Sequence, residues 1–409
     1  MERRKDNKGR VLKEGESYRK SDGLYMYRWY TKTGKRKTIY DNSLEKLREK
    51  EDTIRRDLSD GIRAGESNIT LNDVYELWKK DKRGLKQTTK GNYVYMYEHF
   101  VKEELGCIKL REIKKSDVRR FYNDLVDTDK MAINTVEGLH TVLHQVFNQA
   151  VEDNYIRTNP SDRVMGDCKR VHNFQVPKRH ALTIEEQNAF INYIRNTPKY
   201  KHWLPLFTFF LGTGARVSEI VGLRWEDVHM EEGFVEINHN TVYYQREKGK
   251  CYFSVTTPKT EAGNRIIPLL SEVKNALLEE RRYQEEMELS CRAVIDGYTD
   301  FIFLNRYGNV HNPQTINRTI KRISRDYNEQ ELNKADKEKR KPVLLPPFSC
   351  HNLRHTFATR YCENETNLKV IQEILGHKDI ATTMDVYAEA TKDAKVKSFA
   401  GLEGKIRIS

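Results

Sequence analysis

Residues 17–42 read as strands. Leu24-Tyr25-Met26-Tyr27-Arg28-Trp29-Tyr30 is rich in aromatics, Thr33-Gly34-Lys35 marks a turn, and Arg36-Lys37-Thr38-Ile39-Tyr40 reads as the returning strand. Ser43 then opens a charged helix that runs to about Asp60 and stops at Gly61. Gly61, Gly65, Ser67 and Asn68 make 61–69 a linker. Beyond it the period changes to that of a helix. Thr70 opens one helix (Leu71, Val74, Tyr75, Leu77, Trp78), Thr88 a second (Tyr93, Met96, Tyr97, Phe100), Ser116 a third (Val118, Phe121, Tyr122, Leu125). A fourth starts at Asn134 and carries Val136, Leu139, Val142, Leu143, Val146, Phe147 and Ala150, with Asn159-Pro160 closing the run. Four helices with no strand predict a compact bundle whose aromatics form its core.

Residues 163–180 are basic and show no period, which predicts a second linker. Thr183 with Glu186 three positions on is a capping-box pattern. From there helices are expected near 184–195, 201–212 and 217–223, and strands near 234–238, 241–245, 252–257 and 264–268. Lys248-Gly249-Lys250 would turn a hairpin. Further helices are expected near 271–290, 313–326, 350–363, 366–375 and 379–390. Residues 322–347 read as a charged, proline-ended connection, and 396–409 as strand-like or disordered. The fold class is therefore multidomain and mainly α with small β-sheets. It comprises a small N-terminal sheet-plus-helix module, a four-helix bundle and a mixed α+β domain.

Composition narrows what such a chain can do. Its 409 residues suit two or three domains. With 37% hydrophobic and 32% charged residues and a mean hydropathy of −0.80, the chain has no apolar run long enough to cross a bilayer. The charged start Met1-Glu2-Arg3-Arg4 is not a secretory signal. The six cysteines include no C-x-x-C pair, which fits a reducing cytoplasm. The formal charge is +12, and residues 1–40 alone hold thirteen Lys/Arg against five Asp/Glu. A polyanionic partner such as nucleic acid, or a solvated basic tail, accounts for that bias. The aromatics among the charges favour DNA, with Arg28, Lys35, Arg36 and Lys37 on a β-ribbon as the candidate contacts.

No phosphate-binding G-x-x-x-x-G-K-[ST] loop and no cluster at metal-ligand spacing is present, so chemistry on DNA would need neither ATP nor metal. Positive side chains would then offset the charge on a reacting phosphate. Gly212-Thr213-Gly214-Ala215-Arg216-Val217-Ser218-Glu219 places Arg216 at a helix mouth, with Glu219 close enough to orient it. Ser349-Cys350-His351-Asn352-Leu353-Arg354-His355-Thr356 sets His351 and Arg354 three apart on a second helix start capped by Ser349. In Leu375-Gly376-His377 the glycine ends a helix, and Asp379 caps the next, which carries Tyr387. Each motif alone is compatible with a structural turn, a surface salt bridge or ordinary packing.

Together, in this order and spacing, G-x-R-x-S-E, H-x-L-R-H-T and L-G-H followed ten residues later by tyrosine resemble the tyrosine recombinase (phage integrase) family over about 180–390. The resemblance implies that Arg216, His351, Arg354, His377 and the nucleophile Tyr387 are the active-site positions and that Glu219 is the supporting acid. It also implies a hairpin lysine, for which Lys259 in Thr257-Pro258-Lys259-Thr260 fills the slot. Its layout further implies an arm-type DNA-binding domain over 1–62, a helical core-binding (SAM-like) domain over 69–165, a catalytic domain over 178–395 and a tail over 396–409 for subunit contacts. This arrangement looks most like the integrases of conjugative transposons and lambda-like phages. The implied activity is excision and integration of a mobile element through a 3′-phosphotyrosine intermediate and Holliday-junction resolution, with no cofactor. The implied partners are double-stranded DNA at core and arm sites of the element ends and in the target, a homotetramer on that DNA, an excisionase and a host DNA-bending protein. No membrane is implied, and the location is the bacterial cytoplasm at the nucleoid. A type IB topoisomerase, a helix-turn-helix repressor over 366–390 and a chromosome-dimer resolvase are the competing readings. The first lacks a reason for the N-terminal module, the second for Arg216, His351 and Arg354, and the third for residues 1–60.

Overall fold

The computed structural model describes residues 4–31, 34–63, 68–175, 180–247, 250–258 and 263–390. The chain forms two compact units, Met1–Val176 and Pro177–Ser409.

The first unit begins with an antiparallel sheet of β1 (Glu16–Arg19), β2 (Leu24–Tyr30) and β3 (Arg36–Asp41) in that order. Strand alternation sends Tyr25, Tyr27 and Trp29 inward against Leu44, Leu47 and Ile54 of α1 (Leu44–Ser59), while Arg28 and Tyr30 stay exposed. Asp57, near the end of α1, binds Arg111 at 2.6 Å and Arg157 at 3.0 Å, which ties the sheet module to the helices after it. Those helices are α2 (Leu71–Asp81), α3 (Gln87–Phe100), α4 (Lys115–Asp127) and α5 (Ile133–Glu152). Thr70 caps α2 with Asp73 in a reciprocal box. The apolar faces meet in one core, in which the Tyr75 and Tyr97 rings stack 3.7 Å apart.

Two expectations are corrected here. The segment after 163 is not an irregular linker throughout, because α6 spans Val164–Val171. Val164, Met165 and Cys168 are buried in the bundle core, a short apolar face hidden among charges. The third helix begins two residues early, with Lys114 rather than Ser116 at its cap and Asp117 accepting from the Lys114 backbone N–H at 2.9 Å.

In the second unit, α7 (Ile184–Asn196) starts at the Thr183–Glu186 box. A 3₁₀ turn leads into α8 (Leu204–Thr213), whose Pro205 sits in the first turn, where no amide donor is required. α9 (Val217–Gly222) follows the turn at Gly214. β4 (Val228–His229), β5 (Phe234–Ile237) and β8 (Arg265–Pro268) make a sheet in the order β4-β5-β8, whereas β6 (Asn240–Glu247) and β7 (Lys250–Thr256) pair as a separate hairpin. α10 (Ser271–Glu286) and α11 (Pro313–Glu338) come next. The unit closes with α12 (Cys350–Asn364), α13 (Leu368–Leu375) and α14 (Ile380–Ala390). The core includes Phe190, Phe207, Phe209, Phe210, Val235 and Ile320.

The expected connection over 322–347 is helical for about two thirds of its length, since α11 continues to Glu338. Ile323, Tyr327, Glu331 and Ala335 recur every four residues on one face, and buried Glu331 is held by Arg340 at 2.6 Å. The paired charge lets a polar residue occupy an inward position, so the hydrophobic pattern breaks while the helix does not.

Candidate active site

Gly214 begins the site. It has φ +61°, in the left-handed region, and a Cβ there would lie 2.2 Å from Cδ1 of Phe357 on α12. Only glycine fits both conditions. The turn exposes the Gly214 carbonyl, which accepts from Arg354 Nη1 at 2.6 Å, and presents Arg216 at the start of α9. Glu219, 2% exposed, accepts from the Arg216 backbone N–H and from its Nη1, both at 2.7 Å. Glu219 thus holds Arg216 through two hydrogen bonds.

Arg354 sits on α12 after Ser349, whose backbone N–H donates to Asn352 Oδ1 at 3.0 Å. The Arg354 side chain is buried, whereas His351 is exposed on the first turn. Burial, then the charges of Arg216 and Arg265, bring the Arg354 guanidinium down to about 9, so it remains a cation at neutral pH. Its Nη2 donates to Leu375 O at 2.5 Å, and Arg216 Nη2 donates to Gly376 O at 2.8 Å. Both acceptors lie at the C-terminal end of α13, where Gly376 adopts φ +62° and helix carbonyls lack intrahelical partners.

His377 follows directly. Its backbone N–H donates to Gln372 O at 3.1 Å, and its Nδ1 lies 3.0 Å from Thr383 Oγ1. Burial, then the charges of Arg354, Arg216, Arg265 and His351, lower its pKa to about 4, which leaves a neutral imidazole at pH 7. A neutral ring whose Nδ1 accepts from the Thr383 hydroxyl carries its proton on Nε2. Asp379 accepts from Ala381 N–H at 3.0 Å and starts α14, on which the half-buried Tyr387 packs against the α12–α13 cluster of Ala358, Cys362, Ile371 and Leu375.

The structure thus bonds Arg216 to Glu219 and anchors Arg216 and Arg354 on neighbouring carbonyls at the end of α13, with His377 and His351 close enough to feel these charges or each other electrostatically. Tyr387 is on the adjoining helix α14. Lys259 lies outside the described residues. Sequence reasoning missed Arg265, which donates to both oxygens of Glu219 at 3.1 and 2.8 Å and to Ile374 O at 2.7 Å. Burial raises the Glu219 pKa, but Arg265 and then Arg216 outweigh it and hold the carboxyl at about 2. The signal available for Arg265 was a lone charge opening the otherwise apolar strand Arg265-Ile266-Ile267-Pro268.

In the N-terminal sheet, Arg28 pairs across from Thr38, Tyr30 from Arg36, and Trp29 from Lys37. Arg28 and Arg36 therefore share the outer face, with exposed Lys35 beside the turn, whereas Lys37 lies on the α1 side with Trp29. Among the described residues no group of three or more His, Cys, Asp or Glu side chains could hold a metal, and no helix is long and apolar enough to cross a membrane. A cavity of about 900 Å³ in the second unit is lined by residues such as Trp203, Glu280, Tyr283 and Arg322 and includes none of the candidate residues.

Comparison with known proteins places this geometry. Residues 180–394 match the phage integrase family, residues 1–58 the DNA-binding domain of Tn916 integrase, and residues 70–126 the phage integrase N-terminal SAM-like domain. The chain is 30% identical over 406 residues to the transposase from transposon Tn1545 of Streptococcus agalactiae, covering 96% of this chain and 95% of that one. The transposase from Tn916 of Enterococcus faecalis is equally similar over the same extent. Among solved structures, the Tn1549 transposon integrase in complex with transposon right-end DNA superposes with a TM-score of 0.69 at 25% identity, over 82% of this chain and 99% of that one. The chain belongs to the phage integrase family and is a tyrosine site-specific recombinase of the conjugative-transposon type, an enzyme that breaks and rejoins DNA.

Proposed function

We propose that this recombinase excises and integrates its element through Tyr387, with Arg216 and Arg354 clamping the two non-bridging oxygens of the scissile phosphate. The observation that carries this reading is the pair of guanidiniums anchored side by side on Leu375 O and Gly376 O. Two of the five donors on Arg216 and two on Arg354 are occupied by protein. The remainder suit an oxyanion, and hydrogen bonds to charged groups contribute about 1.5–3 kcal/mol each. His377, neutral, donates a third bond from Nε2. The Tyr387 phenol loses its proton to His351 as its oxygen bonds to phosphorus, the bond from phosphorus to the 5′-oxygen breaks, and Lys259 protonates that leaving oxygen. The phosphotyrosine link conserves the bond energy, so attack by the exchanged strand's 5′-hydroxyl reverses the step without a nucleotide cofactor.

The same proposal assigns 1–62 to arm-type sites, with Arg28, Lys35 and Arg36 on backbone phosphates and Lys37 supporting from behind the sheet. It assigns 69–165 to the core site, 178–395 to catalysis and 396–409 to subunit contacts. The DNA is the element's own ends and a target, the working form is a tetramer, and an excisionase and a host DNA-bending protein direct it in the cytoplasm at the nucleoid. The DNA-bound integrases among its structural neighbours support the DNA partner, and the lambda integrase tetramer on a Holliday junction shares the fold. The test is Tyr387→Phe on a nicked suicide duplex. Binding is expected to persist while the covalent protein–DNA adduct disappears. An adduct that survives the substitution refutes the nucleophile assignment.

A further inference from the structure

Three consecutive carbonyls at the end of α13 each receive a different guanidinium. Ile374 O accepts from Arg265 Nε at 2.7 Å, Leu375 O from Arg354 Nη2 at 2.5 Å, and Gly376 O from Arg216 Nη2 at 2.8 Å. A helix C-terminus carries a partial negative charge and unpaired acceptors, which is why three cations can gather there before any phosphate arrives. The only carboxylate bonded to these three arginines among the described residues is Glu219, shared between Arg216 and Arg265.

The arginines are not equivalent. The Arg216 side chain is 39% exposed, whereas that of Arg265 is 5% exposed. Arg265 spends its donors inside the protein: Nε on Ile374 O, Nη1 on Glu219 Oε1 and on Gly263 O at 3.3 Å, Nη2 on Glu219 Oε2. Four of its five N–H groups are thereby accounted for. It has little left to offer a substrate, so its contribution must pass through the groups it holds. Without Arg265, the full charge of Glu219 would fall on Arg216 and draw that guanidinium inward. The last turn of α13 would also lose its tie to β8, and Gly376 O and His377 stand on that turn.

We infer that Arg265 is a positioning residue of the recombination site: it balances Glu219 and fixes the end of α13, so that Arg216 keeps its outward face and its charge for the scissile phosphate. This inference rests on the role proposed above for Arg216. A residue of this kind alters the chemical step more than DNA affinity, because the phosphate contacts that dominate binding lie elsewhere.

The experiment uses the full chain and a nicked duplex of its own core site, first mapped by footprinting. Single-turnover cleavage at saturating protein is measured beside the Kd for Arg265→Gln, Arg265→Lys, Glu219→Gln and the Glu219→Gln/Arg265→Gln pair. Lysine keeps the charge but cannot fork across both Glu219 oxygens while reaching Ile374 O. Both Arg265 variants should cleave roughly 10- to 100-fold more slowly, with Kd changed by less than about threefold. The double variant should be no slower than the slower single one, because the two side chains act as one unit. Rate losses that multiply in the double variant, equal losses in rate and affinity, or wild-type cleavage by Arg265→Lys would each overturn the inference. Should Arg265→Gln fail to fold, Arg265→Lys supplies the same readouts. Arg216→Lys separates the two claims. If it cleaves normally, the role of Arg216 itself is wrong. If it is inactive while the Arg265 variants are normal, only the positioning role fails.

Discussion

Glu219→Gln isolates a charge at nearly constant shape. The Glu219 carboxyl titrates at about 2 in the folded chain against an ordinary 4.5, because Arg265 and Arg216 more than offset its burial. At 1.36 kcal/mol per tenfold change, the folded state favours the ionised form by about 3 kcal/mol at pH 7. Glutamine keeps the size and the hydrogen-bonding reach but not the charge, so a loss of about 3 kcal/mol is expected. For a unit of this size that lowers the melting temperature by roughly 6–12 °C in calorimetry of the full chain. The sign of the pH dependence follows from the depressed value. The stabilisation is complete above pH 4.5 and drains away as pH falls towards 2. At pH 3 it should have shrunk to roughly 1.5 kcal/mol, so the gap between wild type and variant should halve between pH 7 and pH 3. A gap that stays constant over that range would mean that glutamine disturbs packing and that the charge contributes nothing; no gap at pH 7 would remove Glu219 from the anchoring network altogether.

Three further outcomes are expected. Gly214→Ala should cost about 2–5 kcal/mol by thermal denaturation, from the left-handed backbone and the 2.2 Å approach to Phe357, and should slow cleavage because the displaced carbonyl holds Arg354; wild-type stability would contradict this account. His377→Gln should flatten part of the stability loss between pH 6.5 and 4, since the unfolded chain takes up a proton in that window while buried His377 does not; melting curves that fall in parallel for both proteins would show that His377 is not the group responsible. Deleting residues 1–62 should abolish footprints at arm-type sites and leave core-site cleavage, and arm footprints that persist would place that contact elsewhere.

Where local chemistry set the structure, the sequence was readable. Thr183 with Glu186, Gly61 after α1, Gly376 after α13 and the alternation Tyr25, Tyr27, Trp29 each name a physical requirement of a single position or face. Reading stopped where tertiary partners supplied the reason. Arg265 opens an apolar strand, and nothing near it in sequence points to its partner Glu219, forty-six positions away. The helix α11 was cut short because Glu331 reads as surface until Arg340 folds back to pair with it. Lys37 was grouped with Arg28 and Arg36 by charge, although the strand register assigns it to the other face. Three motifs could name the residues of the site, but none of them could say what holds those residues together.

What holds them is backbone. Carbonyls 374, 375 and 376 are acceptors whatever the side chains, so their part in the site leaves no trace in the sequence beyond the glycine that lets the chain turn after them. The arrangement also explains why the motifs must occur as a set. Arg354 spans from Gly214 O to Leu375 O, and Arg216 from Glu219 to Gly376 O, so each guanidinium bridges the turn before α9 to the end of α13. Moving α13 would release both anchors of the proposed clamp at once. It would also shift His377 and the start of α14, the helix that carries Tyr387. The proposed clamp and the helix of the proposed nucleophile thereby share one support, and a displacement that spoils the first must misplace the second.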